Sequence, residues 1–235
     1  MKIDVIAFDA DDTLWHNEWL YQETKKKLQT LLAPEFEPQQ VADKIDEVEI
    51  GNLRFYGYGI KSFILSSIEA VLELTGGNIS SDKLSQIISY GKKMLKSDVP
   101  LFEHVHETLG ALLETYDLMM ITKGENFEQQ RKIRQSELMQ YFKYIEVVGE
   151  KSSQTYLEIL SKFEINPNRF LMVGNSLRSD ILPVLEIGGA AVFIPYESTW
   201  FHENEISSEN NISDYYEIEN LSKLPALISQ LNSVK

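Results

Sequence analysis

The sequence predicts an α/β fold, a doubly wound parallel sheet with a helical segment inserted into it. Three observations predict this. A short apolar run, IDVIAF at residues 3–8, stands alone near the start of the chain. A long helical region then follows, roughly residues 17–97. Beyond them, short apolar runs of strand type alternate with amphipathic stretches, the pattern of a parallel sheet with helices on both faces. The expected division is a core of residues 1–14 and 98–235 and a helical domain of residues 15–97.

The elements follow in order. EWLYQETKKKLQTLL (18–32) reads as a helix closed by Pro34, and PQQVADKIDEVEI (38–50) as a second. IKSFILSSIEAVLEL (60–74) is strongly amphipathic and stops at Gly76-Gly77, a glycine signal for a helix C-terminus. SSDKLSQIISYGKKMLKS (80–97) begins with serine and aspartate suited to an N-cap. The alternation then runs helix 104–116, strand 117–122, helix 125–138, strand 144–149, helix 152–165 and strand 169–174. A helix over 177–189 holds Pro183 in its first turns, and a strand comes next at 190–195. DYYEI (214–218) reads as a last short strand and 219–232 as a closing helix. Residues 197–213 read as an exposed loop.

Composition bounds the function. The chain has 235 residues, 43% hydrophobic, enough for a core domain and a smaller insert. Its net charge of -14 disfavours nucleic acid and anionic membranes as partners. The same charge would repel a phosphorylated substrate, so a site for one needs local positive charge or a metal ion. No cysteine is present, which excludes disulfides, thiolate nucleophiles and Cys-based zinc sites. MKIDVIAFDADD reaches its acids too soon for a secretory leader, and no apolar run is long enough to span a bilayer. A cytoplasmic protein is expected.

In an open α/β sheet, ligands bind outside the carboxyl ends of the strands. The residues just past the end of each expected strand are therefore informative. Asp9, Asp11, Asp12 and Thr13 come after the first. Thr122, Lys123 and Gly124 come after LMMI. Glu150, Lys151 and Ser152 come after YIEVVG, and Gly174, Asn175, Ser176 and then Asp180 after RFLMV. Together they supply carboxylates, a hydroxyl, an ammonium and an amide, the groups needed to hold Mg²⁺ and a phosphoryl group.

These four sets, in this order, resemble the motifs of the haloacid dehalogenase superfamily, most of whose members are phosphatases. DADDT matches its first motif, ITKG its second, Lys151 the lone lysine of its third and VGNSLRSD its fourth. A helical insert directly after the first motif is similar to that family's C1-type cap. The resemblance implies that Asp9 is a nucleophile forming an aspartyl-phosphate. It makes Asp11 the acid/base, with its backbone carbonyl a metal ligand, and sets Thr122 on a phosphoryl oxygen. Lys151 would neutralise Asp9 and the phosphoryl group, and Asp180 would help hold the ion or orient its water and Lys151. The superfamily's dehalogenases lack an acid at the position of Asp11, because halide departs without a proton. Asp11 therefore favours phosphate esters, and a small phosphorylated metabolite is the expected substrate. Asp12 sits at a variable position and is read as a turn residue.

Two positions depart from the pattern. Lys123 stands where asparagine is common, and it either adds positive charge to a phosphate site or faces solvent. Asn175 stands where the family places an aspartate metal ligand. Either the site works with one negative charge fewer, which the intact remaining motifs favour, or the metal is held weakly and the protein is a weak or non-catalytic relative. Receiver-type phospho-acceptor modules use similar acids, Thr, Lys and Mg²⁺, but the long insert argues against one. LRFYGYGIK (53–61) interrupts the helical segment with two glycines. It reads as core packing plus a hinge, or as a substrate-contacting loop carrying Arg54, Tyr56, Tyr58 and Lys61. The histidines at 16, 104, 106 and 202 read as structural, with His104 and His106 on different faces of one helix.

Overall fold

The computed structural model describes residues 2–33, 35–196, 200 and 215–233. Its centre is a parallel sheet of six strands in the order β3-β2-β1-β4-β5-β6. The strands are β1 (Val5–Phe8), β2 (Asp117–Lys123), β3 (Tyr144–Val148), β4 (Phe170–Gly174), β5 (Ala190–Phe193) and β6 (Tyr216–Glu217). β1 lies in the middle, with Val5 opposite Asp117 on one side and Phe170 on the other. Successive side chains of a strand point to opposite faces. Ile6 and Phe8 therefore join Leu118, Met120, Leu171 and Val173 on one face, under helices α5 (Val105–Leu113) and α9 (Leu224–Ser233). Val5 and Ala7 join Met119, Ile121, Phe170 and Met172 on the other, under α7 (Ser153–Lys162) and α8 (Leu182–Glu186). Burial on both faces is why VIAF and FLMV read as unbroken apolar runs.

The elements expected over 177–189 and 104–116 differ from expectation. The single helix expected over 177–189 is a π turn, Leu177–Ile181, continued by the short α8. Pro183 has no N–H to give to the Ser179 carbonyl, and the Tyr156 hydroxyl donates to that carbonyl instead, at 3.0 Å. The turn widens accordingly, with Ile181 N–H bonded to the Ser176 carbonyl at 3.3 Å. His104 precedes α5 in a left-handed conformation (φ 66°) rather than lying within it, and His106 contacts the Tyr141 hydroxyl at 3.1 Å. The loop expected at 197–213, with His202, lies outside the described residues apart from Trp200, as does Pro34.

The chain divides into two compact units, Met1–Glu18 with Val99–Lys235, and Trp19–Asp98. The first unit keeps residues 15–18, beyond the expected boundary at 14/15, because Trp15 bridges to Leu101 and His16 N–H bonds to the Pro100 carbonyl. The second unit is helical. It holds all of α1 (Glu18–Leu32) but its first residue, with α2 (Pro38–Tyr56), α3 (Ile60–Leu74) and α4 (Ser81–Met94). Its core includes Leu28, Val41, Ile45, Phe63, Val71 and Ile87. α3 and α4 approach closely at Gly91, where a Cβ would stand 2.6 Å from Ile64 Cγ1. Ser80 caps α4 by accepting the Lys83 N–H. α2 runs past its expected end at Ile50 and stops at Gly57, whose φ of 66° suits glycine. Among the described residues no helix is long and apolar enough to cross a membrane.

Glu49 is buried on α2, 3.9 Å from the Lys25 ammonium, which itself pairs with Asp46 at 2.5 Å. Burial pushes the Glu49 carboxyl up to about 7; Lys25 opposes this and Asp46 adds to it. The folded unit thus binds a proton that the unfolded chain releases above the ordinary carboxylate range. Folding stability falls as pH rises through that window and is flat beyond it. Glu49→Gln removes the effect. In urea unfolding it should stabilise the protein by about 2 kcal/mol more at pH 8 than at pH 5.5.

Candidate active site

The site lies at the carboxyl ends of β1, β2, β3 and β4. Leaving β1, Asp9 N–H bonds to the Val173 carbonyl at 2.9 Å, which holds Asp9 in line with the strand. The chain then turns tightly on the Ala10 carbonyl, which accepts from the N–H groups of Thr13, Leu14 and Trp15. Asp12 takes the left-handed conformation this turn needs (φ 61°). Its carboxylate accepts the Asn17 N–H at 2.8 Å and the Glu18 N–H at 3.1 Å, closing the start of α1. Burial pushes the Asp12 carboxyl up to about 7, against those two backbone bonds.

Asp9, Lys151 and Asp180 form a buried cluster. The Lys151 ammonium lies 2.5 Å from Asp9 Oδ1 and 2.6 Å from Asp180 Oδ1. The Thr13 hydroxyl meets Asp9 Oδ2 at 3.1 Å and Asn175 Oδ1 at 3.3 Å. Asp180 is held from behind, its Oδ2 accepting the Ser176 N–H at 3.0 Å. A Cβ on residue 174 would stand 2.2 Å from that same oxygen, so glycine is required there. Burial pushes the Asp9 carboxyl up to about 7; Lys151 opposes it and Asp180 reinforces it. Burial works against the Lys151 charge as well, but Asp180 and Asp9 outweigh it and hold the ammonium well above the ordinary lysine range.

Asp11 points elsewhere. Its carboxylate accepts the Lys132 ammonium at 2.7 Å on both oxygens, the Trp15 indole N–H at 2.6 Å and the Gln129 amide at 3.0 Å. The Gln129 amide also reaches the Thr122 hydroxyl at 2.5 Å, and Thr122 is fully buried. Thr122 does not cap the next helix: Glu125 does, for α6 (Asn126–Gln135). Gly124 (φ 146°) leaves the room that Gln129 occupies; a Cβ there would meet Gln129 Cγ at 3.2 Å. Lys123 is turned inward, its ammonium 2.9 Å from Ser179 Oγ and 3.6 Å from Glu150 Oε1.

The first unit thus brings together Asp9, Asp11, Thr122, Lys123, Lys151, Asn175 and Asp180. Arg54, Tyr56, Tyr58 and Lys61 belong to the helical unit, at the end of α2 and the start of α3. There the Arg54 guanidinium stacks on Phe55 at 4.5 Å and the Tyr56 hydroxyl bonds Glu69 at 2.5 Å. Sequence reasoning missed Trp15, Gln129 and Lys132 and assigned no role to Thr13. Gln129 and Lys132 lie three residues apart on α6, and both are buried, as is Glu128.

Among the described residues, no group of three His, Cys, Asp or Glu side chains is poised on one metal position. The donors that converge are Asp9 and Asp180 with the amide oxygen of Asn175. Two carboxylates share one ammonium here, and Asp9 Oδ2 and Asn175 Oδ1 both face a single hydroxyl. This excess of oxygen over positive charge fits a hard divalent cation.

Comparison with known proteins agrees. Residues 3–188 match the family model for haloacid dehalogenase-like hydrolases. The chain is a haloacid dehalogenase-like hydrolase. Members of this family generally use a divalent metal. It is 24% identical, over 97% of both chains, to the Escherichia coli 5-amino-6-(5-phospho-D-ribitylamino)uracil phosphatase YigB. A haloacid dehalogenase-like hydrolase from Xanthomonas campestris superposes with a TM-score of 0.88 at 36% identity, over 98% of this chain and 92% of that one. The magnesium-bound hydrolase YfnB of Bacillus subtilis shares the fold, with a TM-score of 0.67 at 18% identity over 97% and 100% of the two chains. Dehalogenases share it too.

Gly174 gives the geometry a direct test. In Gly174→Ala the new methyl displaces Asp180 or bends β4. The variant should lose about 1–3 kcal/mol of stability in urea unfolding, together with most of its hydrolase activity.

Proposed function

We propose that this hydrolase is a Mg²⁺-dependent phosphatase acting on a small phosphorylated metabolite through an aspartyl-phosphate on Asp9. The observation that carries this reading is Asp11. It is an acid two residues beyond the buried Asp9, tied through Gln129 to Thr122. A leaving alkoxide needs a proton and a leaving halide does not, so an acid here serves ester hydrolysis. The E. coli relative is a phosphatase by name, which supports the same reading; the shared fold alone does not separate the two chemistries.

Asp9 attacks phosphorus in line. A covalent oxygen–phosphorus bond forms as the ester bond breaks, and Asp11 gives its proton to the departing oxygen. Water then attacks the aspartyl-phosphate, Asp11 takes a proton back, and inorganic phosphate leaves with Asp9 restored. Lys151 holds Asp9 in line and offsets charge on the phosphoryl oxygens. Thr122 and Lys123 bind those oxygens. Asp9, Asn175, Asp180 and the backbone carbonyl of Asp11 would hold Mg²⁺, which when bound supplies further positive charge to the phosphoryl group. The helical unit takes the part of the cap, with Arg54, Tyr56, Tyr58 and Lys61 as its candidate specificity residues.

A panel of phosphorylated metabolites, including the compound named for the E. coli relative, should release phosphate with Mg²⁺ present. Chelation with EDTA should abolish the release and Mg²⁺ should restore it. Failure to exceed an Asp9→Asn control, or release of halide from a 2-haloacid instead, would overturn the reading. Asn175→Asp restores a charged ligand and should lower the Mg²⁺ concentration for half-maximal activity roughly tenfold. Activity appearing only in that variant would mark the natural chain as a non-catalytic relative.

A further inference from the structure

We infer that a cavity beside the loop after β1 is a binding site for a small organic cation, an ammonium group on an apolar body. The site lies wholly within the first unit, and the inference does not rest on the phosphatase reading.

The cavity has a volume of about 410 Å³, in the range of small-molecule sites. Its walls come from the chain after β1, after β5 and after β6, and from residues 101–104. None of the residues assigned above to the nucleophile, the phosphoryl group or the metal lines it. Thr13 is the wall it shares with them, its hydroxyl turned to Asp9 and Asn175. One part of the lining is aromatic. His16 packs on Phe102 with ring centroids 3.8 Å apart, and Phe102 meets Tyr196 edge to face at 5.6 Å. All three rings are only half-buried, so they offer apolar surface to a ligand. The charge of the lining is of one sign. Asp12, Glu103 and Glu219 contribute to it, and no lysine or arginine does. Glu103 and Glu219 are exposed, and neither side chain has an ion pair or hydrogen bond among the described residues. Burial, followed by the charges of Asp12 and Glu18, pushes the Tyr196 phenol above its usual range, so a negative field reaches the rings. Burial holds the His16 imidazole below its usual range, so it adds no positive charge at neutral pH. Carboxylates around apolar walls focus a field that attracts cations, and aromatic faces bind them. An anion would meet repulsion from the acids and find no cation to pair with. A bare metal ion does not fit either: among the described residues the acids converge on no metal position, and Leu101, Ile194 and Leu221 call for a hydrocarbon body.

Isothermal titration calorimetry on the full chain tests this with three probes of one shape: benzylammonium, benzyl alcohol and benzoate. Mg²⁺ is present throughout, at physiological salt to screen non-specific attraction to the acidic surface. Benzylammonium should bind once per chain with a Kd on the order of 1 mM or tighter. Benzyl alcohol should bind about fivefold or more weakly, and benzoate not measurably. The affinity for benzylammonium should be the same with and without excess inorganic phosphate. Glu103→Gln/Glu219→Gln, a change at two exposed positions, should erase the preference for the cation over the alcohol. Phe102→Leu should weaken both ligands, with circular dichroism checking that each variant folds. No binding of benzylammonium, equal affinity for the alcohol, or unaltered binding in either folded variant would overturn the inference. Displacement by phosphate would place the cation in the catalytic cleft and overturn it too. The phosphatase reading stands or falls separately, on the phosphate-release assay.

Discussion

Two buried carboxylates share one buried ammonium, and much of the molecule is arranged around that imbalance. Asp9, Asp180 and Lys151 come from three separate strand ends and meet within hydrogen-bond distance in a place water scarcely reaches. Burial alone would protonate Asp9 and discharge the lysine. Their mutual attraction keeps Lys151 charged, yet Asp9 is still driven towards neutrality. A site left this way gains from an added cation. The π turn serves the same cluster. It sets Asp180 against Gly174, and its freed carbonyl is satisfied by Tyr156 rather than left bare.

The acids of DADD are kept apart by being given different partners. Asp9 belongs to Lys151, Asp11 to Lys132, and Asp12 to two backbone N–H groups. Three carboxylates within four residues would repel one another if they shared an environment. Here each has its own source of positive charge or hydrogen bonds. The sheet itself does not separate phosphatases from dehalogenases, which share the fold.

Much of this was legible in the sequence. Apolar runs bounded by polar strand ends gave the parallel sheet, because strands buried on both faces leave little choice of residue. The motif residues were legible because their spacing after each strand is fixed by where strands stop. Lys132, Gln129 and Trp15 were not, since nothing local distinguishes a buried polar face of α6 from a solvated one. Only the register of α6 against the sheet decides which it is. The π turn was hidden for a related reason: Pro183 signals a missing donor, but not that Tyr156, from α7, would replace it. The end of α2 was misjudged because Gly51 is tolerated in mid-helix and the true stop is Gly57.

The central place of β1 also governs the order in which the molecule can assemble. VIAF pairs with nothing nearby in the sequence. Its neighbours begin at Asp117 and Phe170, beyond the whole helical unit. Until those strands arrive, an apolar strand with two bare edges waits in the nascent chain, a state open to wrong pairings. The helical unit, with a core of its own, can form in the interval. The bridge between Trp15 and Leu101 then joins the two flanks of that unit and shortens the search that β1 must make for its partners.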